Sequence, residues 1–512
     1  MKRTYLTRLA SFLLASLPLA AATCESLNSL QLPNTSITAV AVAAGAYAPA
    51  APAAGKGKAS TENYADLPGF CDVKVISKPT PDSVINMEYW LPATNWNGNL
   101  LAAGNGGFGS AIGGAGGSDP RRGAPMVAAL RGGYVAAMTD TGHDGAGGTF
   151  ALGHPEKVID FGYRAVHELA DIAKKLIQAR YETPVRKSYF DGCSGGGRQA
   201  LKAAQMYPSD FDGVVAGSPA VASVGRAAQA LWIGQQTHKD ADSALPQAKF
   251  AVVHEAVLAA CDALDGVKDG VLENPRKCNF DPKTITCAGA DTPTCLTAAQ
   301  ADTVRKIYAD VKNPRTGEVY FPGHEPGSEN GWTTMAGANP FGVGVDMFRY
   351  VVFNDATWDY KTLNFDADMT KAMKAGAAID ALDPNLKPFF DRGGKIIQYH
   401  GWNDPQISPR SSVTYYESVV KANGGLSKVQ QNHMLYMVPG MNHCSGGDGT
   451  ATYDMFTALT QWVEQNKTPG RIEATRVRAG VTDRARPLCA YPATAQYKGT
   501  GSTDESVNFV CK

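Results

Sequence analysis

Residues 187–207 constrain the fold most. Lys187-Ser188-Tyr189-Phe190-Asp191-Gly192 reads as a buried strand, 199–207 reads as a helix, and Cys193-Ser194-Gly195-Gly196 joins them in a few residues. A strand that turns so sharply into a helix needs glycines where the two backbones approach, and it pushes the apical side chain out of the sheet. Gly192-Cys193-Ser194-Gly195-Gly196 also fits G-x-S-x-G. Alone, that pattern also occurs in plain Gly/Ser turns. Between a strand and a helix it marks Ser194 as a nucleophile, with the Gly195 N–H at the helix start aimed at a developing oxyanion.

The surrounding rhythm supports this placement. Apolar strands are expected at 71–76, 85–91, 99–103, 133–140 and 213–217. Residues 157–181 are helical in period, with Val158, Phe161, Ala165, Leu169, Ile172 and Leu176 on one face. Such alternation predicts an α/β protein with a parallel or mixed sheet covered on both faces. The Ala-rich stretch 35–60 reads as a surface strand-and-loop region before the core. The rhythm breaks between Pro219 and Asp391, resumes at 395–401 and 433–438, and closes with a helix at 457–465. The expectation is one catalytic domain, 23–219 and 391–512, split by an insertion over 220–390.

A serine hydroxyl needs a base that a third group orients. In the α/β-hydrolase fold the chain order is Ser, acid, His. Asp404, in Gly401-Trp402-Asn403-Asp404-Pro405, follows the first strand after the insertion; a turn-forming Asp before proline is the competing reading. His443, in Pro439-Gly440-Met441-Asn442-His443-Cys444, lies in the loop after the last strand. His400 and His433 sit in or at the start of apolar strands, where a satisfied core histidine is usual. Asn105-Gly106-Gly107-Phe108-Gly109 follows an early strand, where this fold places its second oxyanion amide. Gly107 is the preferred donor and Gly106 the alternative, against a plain glycine turn.

Lys plus Arg and Asp plus Glu both number 48, so nothing in the charge predicts binding to nucleic acid or an anionic membrane. Lys2, Arg3 and Arg8, an apolar run over 9–19 and Ala20-Ala21-Ala22 read as a signal peptide over 1–22, which predicts an exported protein, periplasmic or secreted. Cys24 follows closely, but Thr23 is a poor residue to precede a lipidated cysteine. No later apolar stretch is long enough to cross a bilayer. The 10 cysteines, an even number in an oxidising compartment, suggest disulfides. Cys261 with Cys278, Cys287 with Cys295 and Cys489 with Cys511 are local couples. A further expected bond joins Cys24 to Cys71. Cys193 and Cys444 adjoin the nucleophile and the base; they fall within bonding reach if Ser194 and His443 meet, and are otherwise bonded elsewhere.

Cys193-Ser194, Asp404 and His443-Cys444 form a CS-D-HC arrangement. With the run 191–199 and Phe348-Arg349-Tyr350-Val351-Val352-Phe353, they make nearly all of the mature chain resemble the tannase and feruloyl esterase family, which includes mono(2-hydroxyethyl) terephthalate hydrolases. The resemblance implies a Cys193–Cys444 bond and a lid domain over 220–390 that supplies much of the substrate pocket. It implies a serine carboxylesterase for small esters of aromatic acids, hydroxycinnamate or gallate, with a terephthalate monoester as the alternative. The rival from another class is a non-catalytic binding protein on a hydrolase scaffold.

The loop 262–271 concentrates three carboxylates between glycines, which suits a hard cation but also ordinary metal-free Asp-Gly turns. The resemblance implies structural Ca²⁺ there, held by the side chains of Asp262, Asp265 and Asp269 and the carbonyls of Val267 and Val271. In the lid, Trp332, Phe341, Phe348, Phe353 and Trp358 suit a planar acyl group, and Arg349 suits a carboxylate or phenol. The competing reading for each is packing in the lid's own core. A monomer or homodimer is expected.

Overall fold

The computed structural model describes residues 22–48, 63–112 and 125–512. The expected signal peptide lies outside them apart from Ala22. Nine strands form one mixed sheet: β1 (Thr35–Val42), β2 (Phe70–Ser77), β3 (Ile85–Pro92), β4 (Asn99–Ala103), β5 (Val135–Thr139), β6 (Lys187–Cys193), β7 (Gly213–Gly217), β8 (Lys395–Gly401) and β9 (His433–Val438). Their spatial order is β1-β2-β3-β5-β4-β6-β7-β8-β9. The pairs β1–β2, β2–β3 and β3–β5 are antiparallel, and every later neighbour is parallel.

Side-chain alternation explains why these strands read as apolar runs. Leu100 and Ala102 of β4 enter one core with the helices Ala165–Tyr181 and Gly195–Met206. Leu101 and Ala103 enter a second core, with the helices Pro125–Arg131 and Met455–Gln465. Both faces are covered, so both alternating sets must be apolar. This is the α/β fold expected from the sequence.

The surface strand expected within 35–60 is present, and it belongs to the central sheet rather than preceding it. Thr35 to Val42 pair in continuous register with β2, from Thr35↔Ser77 to Val42↔Phe70, so this segment is the sheet's edge strand. Only Ala39 of β1 is buried. An edge strand this lightly covered carries little apolar patterning to read. Residues 43–48 follow without a strand, and 49–60 lie outside the described residues.

The residues between β7 and β8 pack in two ways. Val224, Phe348 and Met369 share an apolar cluster with Phe108, Phe150 and Phe161, which precede the insertion. A second cluster lies wholly within inserted residues, among the helices Ser223–Thr237, Ala248–Cys261 and Ala298–Tyr308. After the last sheet-covering helix come two antiparallel pairs, Ile472–Arg478 with Val481–Leu488 and Ala495–Tyr497 with Phe509–Cys511. Disulfides join Cys24–Cys71, Cys193–Cys444, Cys261–Cys278, Cys287–Cys295 and Cys489–Cys511. Among the described residues, no helix is long and apolar enough to cross a membrane.

Candidate active site

Ser194 sits between β6 and the helix Gly195–Met206 at φ 64° and ψ −120°, a conformation costly for any residue with a Cβ. Three backbone hydrogen bonds hold it. Its N–H donates to the Gly217 carbonyl at 2.9 Å, and its carbonyl accepts from the N–H groups of Arg198 at 3.1 Å and Ala220 at 3.2 Å. The glycines answer to close approach. A Cβ on Gly192 would lie 2.6 Å from the Gly196 carbonyl carbon, and one on Gly197 would lie 2.3 Å from the Gly217 oxygen.

Asp404 is fully buried in the loop after β8. Its Oδ1 accepts the N–H groups of Gln406 at 2.8 Å and Ile407 at 3.0 Å, so the carboxylate does shape a turn. Its Oδ2 meets His443 Nδ1 at 2.7 Å and His400 Nε2 at 3.0 Å. Burial pushes this carboxyl up, but the charge and hydrogen bond of His443, with those of His400, outweigh it. The group is held well below the usual carboxylate range. With Nδ1 turned to Asp404, Nε2 of His443 is left to serve as base.

Ser194 and His443 line one cavity of about 520 Å³, together with Gly106, Gly107 and the Cys193–Cys444 bond. That bond, with Cα atoms 6.0 Å apart, ties the end of β6 to the histidine loop. A Cβ added to Gly195 would meet the amide nitrogen of Gly107 at 3.2 Å, so the two candidate amides are neighbours. Gly107, at φ +57°, also lines a second, smaller cavity with Ser194 and Gly195, whereas Gly106 lines only the larger one. This geometry favours Gly107 over Gly106.

Two positioning groups were not singled out from the sequence. His400 was read as a core residue, and it is indeed fully buried, but it faces Asp404. His143 stacks on Phe150 with centroids 4.0 Å apart, and its Nε2 lies 3.0 Å from the Phe108 carbonyl. Burial pulls its pKa down and keeps the ring neutral. An Nε2–H donated to Phe108 fixes the residue next to Gly107. No local signal connects His143 with a carbonyl 35 residues earlier.

The candidates for substrate contact within 220–390 lie elsewhere. Trp332 is fully buried between Phe250 and Tyr308, with its Nε1–H on the Ser328 hydroxyl. Phe348 and Phe353 stack on Trp358, and Arg349 Nε donates to the Trp358 carbonyl at 2.8 Å. Trp332, Phe348, Arg349 and Phe353 line neither cavity that contains Ser194. Trp332 is taken up by Phe250 and Tyr308, and Phe348, Phe353 and Trp358 by one another. The insertion instead presents Ser223, Arg226, Val343 and Met347 to the smaller cavity.

In the acidic loop, Asp265, Val267, Asp269 and Val271 line one small space of about 30 Å³, joined by Glu273 and by Arg484 and Arg486. Asp262 is the expected ligand outside this lining; its carboxylate accepts the N–H groups of Asp269 and Gly270. Asp265 accepts from Val267 and Glu273, and Asp269 Oδ2 pairs with Arg486 at 2.6 Å and Arg484 at 3.1 Å. Burial pushes the Glu273 carboxyl up to about 8. A small space that gathers several carboxyl oxygens and backbone carbonyls has the oxygen donors a hard cation takes, with Arg484 and Arg486 balancing part of the charge.

The family model described as Tannase and feruloyl esterase matches residues 71–512. An uncharacterized esterase of Xanthomonas campestris pv. campestris is 38% identical, over 96% of this chain and 91% of that one. A probable feruloyl esterase B-2 of Aspergillus terreus is 34% identical, over 85% of each chain. The crystal structure of feruloyl esterase B from Aspergillus oryzae superposes with a TM-score of 0.87 at 30% identity, covering 96% of this chain and 99% of that one.

Proposed function

Because the chain belongs to the tannase and feruloyl esterase family and is a carboxylic-ester hydrolase, we propose that it cleaves esters of aromatic acids through an acyl-enzyme on Ser194. The observation that carries this reading is the Asp404–His443 contact of 2.7 Å beside a cavity that Ser194 and His443 share. His443 takes the Ser194 proton as Oγ adds to the ester carbonyl. The amides of Gly195 and Gly107 receive the oxyanion. His443 then protonates the leaving alcohol, and water repeats the sequence on the acyl-enzyme.

Hydroxycinnamate esters are the favoured substrates, supported by relatives named as probable feruloyl esterases. Gallates come next, and a terephthalate monoester is the alternative. The reading extends to an exported protein, which the five disulfides support, with residues 220–390 as a lid domain. A Ca²⁺ ion would be held by the side chains of Asp262, Asp265 and Asp269 and the carbonyls of Val267 and Val271, with Glu273 beside it. The ion's part is to neutralise and cross-link this loop.

The test is hydrolysis of methyl ferulate, methyl gallate, mono(2-hydroxyethyl) terephthalate and p-nitrophenyl acetate by the protein and by Ser194→Ala. One aromatic ester should dominate, and the variant should be inactive. Full activity of Ser194→Ala on every ester would remove Ser194 from the mechanism.

A further inference from the structure

We propose that Arg226 is a third, cationic contributor to the oxyanion site, and that the same cavity retains the carboxylate of the acid product. This rests on the esterase reading above. The smaller cavity beside Ser194 measures about 30 Å³, and its walls include Gly107, Gly195, Arg198 and Arg226. Such a space takes an oxygen or a water, not an aromatic ring. It therefore suits the carbonyl oxygen rather than the body of the acyl group.

Two guanidinium side chains border this space, and they are not equivalent. Arg198 is spent on protein carbonyls: Gly162 at 2.9 Å, Ile379 at 3.0 Å and Phe161 at 3.3 Å. Arg226, 7% exposed, donates through Nε to the Gln406 carbonyl at 3.1 Å and lies over the Phe341 ring at 4.5 Å. Among the described residues, Nε to Gln406 is its one side-chain hydrogen bond, and the nearest carboxylate that acts on it is that of Asp404, which is itself engaged by His443 and His400. Burial pulls this guanidinium down to about 10, which still leaves it charged at neutral pH. A buried cation whose only counter-charge is shared with two histidines gains from an anion that forms beside it.

The reaction supplies one at the right place. As Ser194 Oγ bonds to the carbonyl carbon, the C=O electron pair moves onto oxygen, and that charge forms beside Gly107, Gly195 and Arg226. When the intermediate collapses, the bond to the alcohol oxygen breaks and His443 returns the proton. After deacylation the acid ionises and leaves a carboxylate in the same field. Fixed charge beside a narrow space lined by buried groups acts more strongly on such groups than it would in bulk water.

The test compares Arg226→Met and Arg226→Lys with the unaltered enzyme. Hydrolysis of p-nitrophenyl acetate is assayed with ferulate and its neutral primary amide as inhibitors. In Arg226→Met, kcat should fall about ten- to a hundredfold with KM changed less than about threefold. Ferulate inhibition should weaken about tenfold relative to that of the amide. Arg226→Lys should recover much of both. Arg226→Gln keeps an N–H donor for the Gln406 carbonyl without the charge, so it answers the question if the Met variant does not fold. If acid and amide inhibition weaken alike, or neither changes, Arg226 only braces the Gln406 loop and the proposal is overturned. Absence of any Ser194-dependent hydrolysis in the unaltered enzyme would overturn the esterase reading and this proposal with it.

Discussion

Asp404 Oδ2 is shared by two histidines, His443 through Nδ1 at 2.7 Å and His400 through Nε2 at 3.0 Å. The Nε2 of His400 also faces the Ile407 carbonyl at 3.1 Å, so acceptors surround that nitrogen and it must carry the hydrogen. Nδ1 then accepts from the Ser412 hydroxyl at 2.7 Å. His400→Phe removes a donor from a buried carboxylate, which should cost about 1–3 kcal/mol of stability. It should also lower kcat/KM about tenfold by loosening the group that orients His443. Urea unfolding and steady-state kinetics on one preparation check this, and unchanged values for both would make His400 a space-filler.

The Cys193–Cys444 bond bridges 251 positions and adjoins both Ser194 and His443. Replacing both cysteines with alanine should cost about 2–5 kcal/mol of stability and reduce kcat more than KM. The matched control is Cys489–Cys511, which lines neither cavity at Ser194. Its removal should lower stability without a selective loss of kcat. Equal kinetic effects of the two removals would sink the positioning role of the first.

His433 is fully buried, with Nε2 3.0 Å from Gln398 Oε1, and burial depresses its pKa from 6.5 to about 3. The folded ring stays neutral where the unfolded chain already binds a proton. Its stability contribution is therefore whole above pH 6.5 and is lost as pH falls toward 3. Between those limits it adds a slope of about 1.4 kcal/mol per pH unit. His433→Gln should flatten the acid side of the stability profile by that amount. Denaturant midpoints collected from about pH 6 to pH 4 read it directly.

Phe348 is fully buried and stacks on Trp358 with centroids 5.7 Å apart, away from both cavities at Ser194. Phe348→Ala should cost about 3–5 kcal/mol of stability. The ranking of kcat/KM across the ester panel should stay the same, as it should for Arg349→Ala. A selective change for one acyl group would return these residues to the substrate pocket.

Chelation addresses the acidic loop. With free Ca²⁺ at about 100 times its Kd, binding to the folded chain alone should add about 2.7 kcal/mol. The thermal midpoint should fall on chelation and return with Ca²⁺. Asp265→Asn should blunt that response while Ser194-dependent hydrolysis persists in cool solution. A midpoint indifferent to Ca²⁺ would mean that Arg484 and Arg486 alone balance the carboxylates.

The readable parts of this protein are those where local covalent geometry leaves few options. The turn at Ser194 needs glycines at close approaches of 2.3–2.6 Å, and β4 through β9 are apolar because both faces are covered. Asp404 and His443 were legible from their places after β8 and β9. The pairing of β1 with the sheet and the C-terminal hairpins were not, because strands with so few buried positions carry little apolar pattern.

From the sequence alone came the chain order of Ser194, Asp404 and His443 as candidates, the sheet that carries them and the interruption between β7 and β8. These follow from spacing, backbone restriction and burial, which act over a few residues. Only the tertiary structure decided that Asp404 serves two histidines, that Gly107 rather than Gly106 adjoins Gly195, and that Phe348, Phe353 and Trp358 face one another instead of the cavity. It also brought Arg226 to Ser194 and Glu273 to the acidic loop. Those outcomes depend on which side chains meet across long separations, and a side chain's type fixes what it can bind but not which partner packing delivers.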